Sequence, residues 1–303
     1  MLAAVRHRLG SADLLLTVTV LVWSFHFVVI KYSLTHGFLP LVYATLRFGC
    51  GSLIFAGIAY GREGTFRIRR RDVLILCVVA PASIYVNQIS FATAVTLTTA
   101  STLALLFGTL PIFVVLIGWR LGVESPHLRH WIAAGVSFLG VALVAVGAGG
   151  GLSGDVGGIL VGMLAPITWG LFSVVAAPML RRYSPYRISA VVGLVVIVPL
   201  AVTAIPQTLN EDWSAIGSLA WAALAYSIIL SLVVTNIWWF KAIDRVGANR
   251  ASIYANLQPF LGALFAVLAL GDTMNVLQIL GGIVIAAGIV IARSRKTPVE
   301  IVD

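Results

Sequence analysis

Residues 85–111 read YVNQISFATAVTLTTASTLALLFGTLP, and residues 233–259 read VVTNIWWFKAIDRVGANRASIYANLQP. At a constant offset of 148, Gln88 aligns with Asn236. Each copy is typical of an apolar helix that carries a carboxamide, followed by a tight connection of small residues and a second apolar helix. Two such copies in one chain predict an internal repeat.

The composition places the chain in a membrane. Of 303 residues, 60% are hydrophobic and 10% are charged, and the mean hydropathy is +1.02. A soluble domain of this size needs more charged surface, so we predict a polytopic membrane protein. Cys50 and Cys77 both lie in apolar runs, which argues against a disulfide framework, a metal site or another cofactor. The net charge of +9 is interpreted as loop charge that orients the protein in the bilayer, not as a nucleic-acid surface.

Apolar runs long enough to cross about 30 Å of hydrocarbon need about 20 residues each. We predict ten such spans, separated by short connections. They are 12–32, 39–60, 72–94, 98–118, 131–149, 156–177, 187–206, 215–240, 250–270 and 276–293. The first run extends too far and lacks a small-residue cleavage site, so we interpret it as a retained span and not as a signal peptide.

The cations fix the orientation. If the N-terminus is cytoplasmic, 18 of the 20 Lys and Arg residues fall in cytoplasmic segments and none in the opposite loops. The other two, Lys31 and Arg47, lie within spans. This asymmetry predicts ten spans with both termini in the cytoplasm.

The Gly-rich loop GAGGGLSG at 147–154 divides the spans into two groups of five. We expect a first repeat over 1–150, a second over 151–296 and a cytoplasmic tail over 297–303. Because five is odd, the second repeat must enter the bilayer inverted relative to the first. The expected fold class is an all-α polytopic membrane protein with ten transmembrane helices in two inverted five-helix repeats, an arrangement typical of transporters.

Several motifs resemble a known family. They are W-S-x-x-F-V-V-I-K at 23–31, L-R-F at 46–48, S-T-L-A-L-L at 101–106 and the second-half run A-N-R-A-S-I-Y-A-N-L-Q-P-F. Together they resemble the EamA-type members of the drug/metabolite transporter superfamily, and most closely the YddG-type exporters of aromatic amino acids. The resemblance implies export across a bacterial inner membrane. Ser24 departs from the family, whose members often have glycine there, and Arg47 has no basic counterpart in the second half.

Aromatic residues at mid-depth are candidates for a substrate cavity. Trp23 and Trp169 correspond at an offset of 146, and each lies near the middle of its span. Two roles are open for these two tryptophans, which either line a cavity or pack between helices. His26 lies one turn from Trp23. We expect one of three roles for it: it lines the cavity, it bonds to a neighbouring helix, or it couples transport to protons. Trp239, nearer the cytoplasmic end, belongs to the cavity or to an interfacial belt.

Amides and hydroxyls supply the other candidate contacts. Gln88 and Asn236 occupy matching positions of the repeat, where amides either line a cavity or join helices. Tyr254 and Gln258 share one helical face, which we expect to face the cavity. Asn256 points elsewhere and is predicted to join helices.

Two cations and two prolines complete the candidates. Lys31 lies at the outer end of its helix, where it snorkels or contacts substrate. Arg47 lies about 12 Å inside the second span, where it anchors helices or contacts a substrate carboxylate. Pro111 and Pro259 align at the offset of 148 and interrupt their helices near mid-span, so we expect them to act as hinges.

The candidate residues favour an alternating-access exporter of amino acids, including aromatic ones, and of similar amphipathic metabolites. The protein would work in the lipid bilayer, and a monomer is compatible with this function. A carrier of phosphorylated metabolites or nucleotide sugars is the first alternative, but it would need more inward cations. A membrane-embedded enzyme is the second, but one isolated histidine supplies no nucleophile–base pair.

Overall fold

The computed structural model describes residues 2–97, 106–147, 156–270 and 275–293, and all regular structure within them is helical. Most of the Gly-rich loop, the start of the predicted fourth span and the predicted tail 297–303 lie outside these residues.

Thirteen α-helices follow one another along the described chain, besides the helical residues 106–108. They are α1 (Leu2–Thr35), α2 (Pro40–Glu63), α3 (Arg70–Leu74), α4 (Ala80–Leu97), α5 (Leu110–Arg120), α6 (Leu128–Gly147), α7 (Val156–Met179), α8 (Pro185–Leu209), α9 (Ser218–Ile228), α10 (Thr235–Val246), α11 (Ala248–Ala255), α12 (Leu257–Leu270) and α13 (Val276–Arg293). A π-helical segment, Ile75–Val79, joins α3 to α4, and a second, Ile229–Val234, joins α9 to α10.

Seven runs of the described chain are long and apolar enough to cross a membrane. They are Ala12–Thr35, Pro40–Glu63, Arg70–Ala94, Leu128–Gly147, Gly157–Met179, Pro185–Leu209 and Ser218–Val246. The predicted count of ten is not confirmed. The predicted span 98–118 begins outside the described residues, 250–270 is divided between α11 and α12, and the last apolar helix, Val276–Ala292, is shorter than the seven.

The interruptions near the two predicted hinges fall just before the prolines. The helical pattern breaks at Thr109 and again at Asn256. Pro111 is the second residue of α5, and Pro259 is the third residue of α12. Proline is tolerated in the first turn of a helix, where its missing N–H has no partner to lose, so a new helix begins beside each ring.

The helices pack in pairs that bring the two halves of the sequence together. Helix α2 packs along α8, α4 along α7, and α6 along α13, while α1 contacts α10 and α12. Large side chains such as Trp239, Phe240 and Ile253 are fully buried in the main core. A smaller apolar cluster around Phe38 and Tyr43 lies at the end of the bundle opposite the arginine-rich connections.

Candidate functional site

Three tryptophans from different helices meet in the interior. The ring of Trp23 on α1 lies 5.8 Å from that of Trp169 on α7, in an edge-to-face arrangement, and 5.1 Å from that of Trp239 on α10. Trp239 is 1% exposed, so it lies in the core and not in an interfacial belt. The structure therefore brings together three tryptophans that are far apart in the sequence.

The second π-helical segment holds Trp23 in place. The indole Nε1–H of Trp23 donates to the Thr235 hydroxyl at 2.9 Å and to the Ser231 carbonyl at 3.1 Å. Ser231 lies inside this π-helical segment. Such segments disturb the regular hydrogen-bond ladder and are frequent at functional sites. Here an irregular backbone carbonyl fixes the orientation of a central aromatic ring.

A small cavity of ≈ 30 Å³ lies beside this cluster. Its lining combines aromatic rings, aliphatic side chains and three polar residues. The lining residues are Phe48, Ser52, Phe55, Ile84, Trp169, Phe172, Ser189, Val192, Gly193, Leu232 and Asn236. The first four belong to the first half of the chain and the other seven to the second, so the cavity lies where the two halves meet.

Several polar atoms of the cavity lining and of residues near Trp23 are buried without a hydrogen-bond partner among the described residues. They are Ser189 Oγ, Asn236 Oδ1, Trp239 Nε1 and His26 Nε2. Ser189 and Asn236 line the cavity itself, and Trp239 contacts Trp23. An unpaired buried donor or acceptor costs about 1–3 kcal/mol, so these atoms are suited to a polar solute or to water.

The structure places Gln88 differently from Asn236. The Gln88 amide donates to the Asn87 side chain at 2.8 Å, and Asn87 donates to the Ala165 carbonyl of α7 at 2.8 Å. This pair of amides therefore joins α4 to α7, whereas Asn236 faces the cavity. Gln258 is partly buried in the first turn of α12 and is not among the lining residues.

Tyr254 lies in an ion-pair cluster rather than among the lining residues. Its hydroxyl donates to Asp13 of α1 at 2.7 Å, and Arg250 of α11 pairs with the same carboxylate at 2.5 Å. Tyr254 is 3% exposed, and both charged side chains are largely buried. The sequence places Asp13 at a span end but gives no sign of this cluster, because its members are more than 230 positions apart.

Three more carboxylates of the first half bind groups of the second half at the same arginine-rich end, which we call the basic end. Asp72 pairs with Arg182 at 2.5 Å and accepts from the Tyr183 hydroxyl at 2.7 Å. Glu63 pairs with Arg187 and accepts from the Ser184 hydroxyl.

The third carboxylate, Glu124, lies in the connection between α5 and α6 and holds the start of α11. It accepts from the backbone N–H of Ala248 at 2.6 Å and of Asn249 at 3.2 Å. Burial raises the pKa of Glu124, and these N–H donors offset part of that rise. With the Asp13 cluster, four carboxylates of the first half thus tie the basic end to the second half.

Arg47 is partly buried in α2 and has no ion-pair partner within the described residues. Its Nε–H points to the Ser227 carbonyl at 3.5 Å, and its guanidinium lies 5.6 Å from the centre of the Phe48 ring. Lys31 lies in α1, but its side chain is outside the described residues.

Comparison with known proteins identifies the family. The chain is 27% identical over 301 residues to an uncharacterized transporter of Archaeoglobus fulgidus, covering 95% of this chain and 99% of that protein. It is 29% identical over 235 residues to the uncharacterized transporter YdeK of Bacillus subtilis, covering 75% and 79%. A solved crystal structure with 19% identity has a TM-score of 0.78 and covers 93% of this chain and 98% of its own, which shows a shared fold. The EamA-like transporter family model matches twice, at residues 10–146 and 156–294, and the chain therefore belongs to the EamA-like transporter family.

Proposed function

We propose that this membrane transporter exports amino acids, including aromatic ones, and similar small amphipathic metabolites across the bacterial inner membrane. The single observation that carries the proposal is the cavity beside the tryptophan cluster, with its unpaired Asn236 and Ser189 atoms. Aromatic faces supply apolar contact area and attract an ammonium group, and unpaired amides and hydroxyls bind polar groups of the solute.

Transport proceeds by alternating access between two inverted five-helix repeats, 1–150 and 151–296, with both termini in the cytoplasm. The cavity of ≈ 30 Å³ is too small for an amino acid, because pockets for small ligands have volumes of about 300 Å³ or more. The helices that line it must therefore separate to admit a solute. Contacts at the basic end cross between the repeats, so they break when that end opens. Pro111 and Pro259, beside the helix interruptions, are the proposed hinges.

A panel of solutes on the purified protein in liposomes tests this function. Counterflow of labelled amino acids is measured against that of phosphorylated metabolites, with and without a proton gradient. We expect aromatic amino acids to exchange and phosphorylated metabolites not to do so. Exchange of phosphorylated metabolites alone would replace the proposal with the first alternative function. Coupling by His26 would appear as a pH dependence of amino-acid flux that is absent in His26→Ala.

A further inference from the structure

Arg47 carries a charge that the described part of the protein does not neutralise. It is the eighth residue of α2, roughly 11 Å from the start of that helix. Each of the three ion pairs among the described residues joins an arginine to a carboxylate at the basic end, and none includes Arg47. A permanent charge within a membrane span is costly unless it faces water, a partner or a ligand.

The contacts of Arg47 leave most of its hydrogen-bonding capacity unused. Its 3.5 Å bond to the Ser227 carbonyl is long. The Phe48 ring, whose centre is 5.6 Å away, makes a cation–π contact and accepts no conventional hydrogen bond. A guanidinium has five N–H donors in a fork that fits a carboxylate with two parallel bonds. Phe48 also lines the central cavity, so the guanidinium lies one ring away from it.

His26 adds a second unsatisfied group, on α1. Its Nε2 is buried and has no hydrogen-bond partner in the part of the chain that the structure describes. Helix α9 connects the two residues, because Tyr226 donates to the Val22 carbonyl at 3.2 Å, one turn before His26, and the next residue, Ser227, presents its carbonyl to Arg47. His26 is also one turn from Trp23, whose ring contacts the cavity-lining Trp169. Arg47 therefore contacts a ring that lines the cavity, and His26 lies one turn from a ring that contacts the cavity lining. Neither has a carboxylate of this chain beside it among the described residues.

We propose that Arg47 and His26 form the binding site for the carboxylate of the transported solute. This proposal rests on the proposed function, in which the solute is an amino acid. Arg47 neutralises the carboxylate and His26 donates one hydrogen bond to it, while the tryptophan cluster contacts the rest of the solute. The site selects for a carboxylate, so an amide or an amine of the same shape leaves Arg47 without a counter-ion and binds poorly.

Thermal unfolding of the detergent-purified protein tests the site without requiring transport. The probes are L-phenylalanine, L-phenylalaninamide, phenylacetate and phenyl phosphate. We expect L-phenylalanine and phenylacetate to raise the midpoint of unfolding, and the amide to leave it unchanged. In Arg47→Gln, we expect the carboxylate concentration for half the shift to rise by about tenfold or more. His26→Gln keeps the size and polarity of the side chain and should weaken the same shift less.

Arg62→Gln is the matched control, because Arg62 lies on the same helix and also faces an aromatic ring, that of Tyr186 at 5.3 Å, but is exposed. It should keep the full shift. The comparison of acid and amide uses the unaltered protein, so it decides the question even if Arg47→Gln fails to fold.

The outcomes separate the two proposals. If phenylacetate stabilises the protein and Arg47→Gln abolishes this, while no amino acid exchanges in liposomes, the carboxylate site stands and amino-acid export is wrong. If the amide stabilises as well as the acid, or if no carboxylate has an effect, the site is wrong and Arg47 only links α2 to Ser227. If phenyl phosphate stabilises far more strongly than phenylacetate, the site is for phosphate and the carboxylate assignment is wrong.

Discussion

Glu63 and Glu211 make equivalent contacts at opposite ends of one antiparallel helix pair. Glu63, at the end of α2, accepts from Ser184, the residue that caps α8. Glu211, just after α8, accepts from the backbone N–H of Leu39, the residue at the N-cap position of α2, at 3.0 Å. The two glutamates are 148 positions apart, the offset of the repeated segment in the sequence. This relationship supports the proposal that the halves are related by an inverted two-fold axis.

The two glutamates should nevertheless differ in their contribution to stability. Glu63→Ala leaves the largely buried Arg187 without its carboxylate and should lower the free energy of unfolding by roughly 1–3 kcal/mol. Glu211→Ala removes a cap but also a carboxylate whose Oε1 is buried without a partner among the described residues, so its cost should be below about 1 kcal/mol. Chemical unfolding in mild detergent measures both. Equal losses would contradict this difference.

The Tyr254–Asp13 hydrogen bond should contribute more than a neutral bond of the same kind. Tyr254→Phe removes a donor from a largely buried carboxylate and should cost about 1.5–3 kcal/mol. Tyr226→Phe is the control, because that hydroxyl donates to the neutral Val22 carbonyl at 3.2 Å and should cost about 1 kcal/mol. Both losses are measured by chemical unfolding.

A double-mutant cycle assigns the Tyr254 effect to Asp13. If the charge of Asp13 is responsible, Tyr254→Phe should cost clearly less in the Asp13→Asn background than in the unaltered protein. An undiminished cost would show that the tyrosine stabilises the protein through its packing alone.

Glu124 should make stability depend on pH. Burial raises its folded-state pKa above the ordinary value of 4.5, so the folded protein favours the protonated form more than the unfolded chain does. Its contribution is fully present below that ordinary value and is lost as the pH rises through the raised folded pKa. Thermal unfolding of the unaltered protein and of Glu124→Gln should therefore diverge with rising pH, the unaltered protein losing stability relative to the variant. A constant difference between the two across this range would show that the folded-state pKa is not raised.

Trp169 should matter for transport more than a tryptophan at the membrane surface. Its ring lines the cavity and contacts Trp23, so Trp169→Ala should lower the initial rate of amino-acid counterflow by roughly tenfold. Trp119→Ala removes a ring that is 58% exposed and should leave the rate unchanged. Size-exclusion profiles check that both variants are folded. A Trp169→Ala protein that is folded and fully active would remove this ring from the substrate site.

Local patterns predict the all-helical fold and the family, because each apolar run and each motif is contained in a short stretch of sequence, whereas the count of ten spans is not confirmed. Equivalent positions in the two halves also pointed to Trp23 and Trp169, whose rings lie 5.8 Å apart. The EamA-type assignment is confirmed by the family match, whereas the YddG-type branch and the amino-acid substrate stay predictions.

Other features depend on contacts between distant parts of the sequence, so no short stretch of residues predicts them. Asp13 meets Arg250 only because α1 packs beside the start of α11, and nothing local to either residue encodes that contact. The helix interruptions at Thr109 and Asn256 precede the prolines by two and three residues, since proline starts a new helix more easily than it kinks an old one. The role of Trp239 was left open by its position near a span end, and only its 1% exposure places it in the core.

Gly140 of α6 and Gly281 of α13 lie where two helices from different halves approach closely. A Cβ added at Gly140 would lie 2.7 Å from the Gly281 carbonyl oxygen, and one added at Gly281 would lie 2.6 Å from the Gly140 carbonyl oxygen. Backbone cannot move aside as a flexible side chain does, so Gly140→Ala must push the helices apart and should cost roughly 1–3 kcal/mol.

Gly135 supplies the control on the same helix, because a Cβ there would meet nothing within 4 Å. Gly135→Ala should leave the free energy of unfolding unchanged or raise it by up to about 1 kcal/mol. Both variants are compared by chemical unfolding in the same detergent. If Gly140→Ala is as stable as Gly135→Ala, the two helices do not approach through their glycines, and the pairing of α6 with α13 across the halves would need revision.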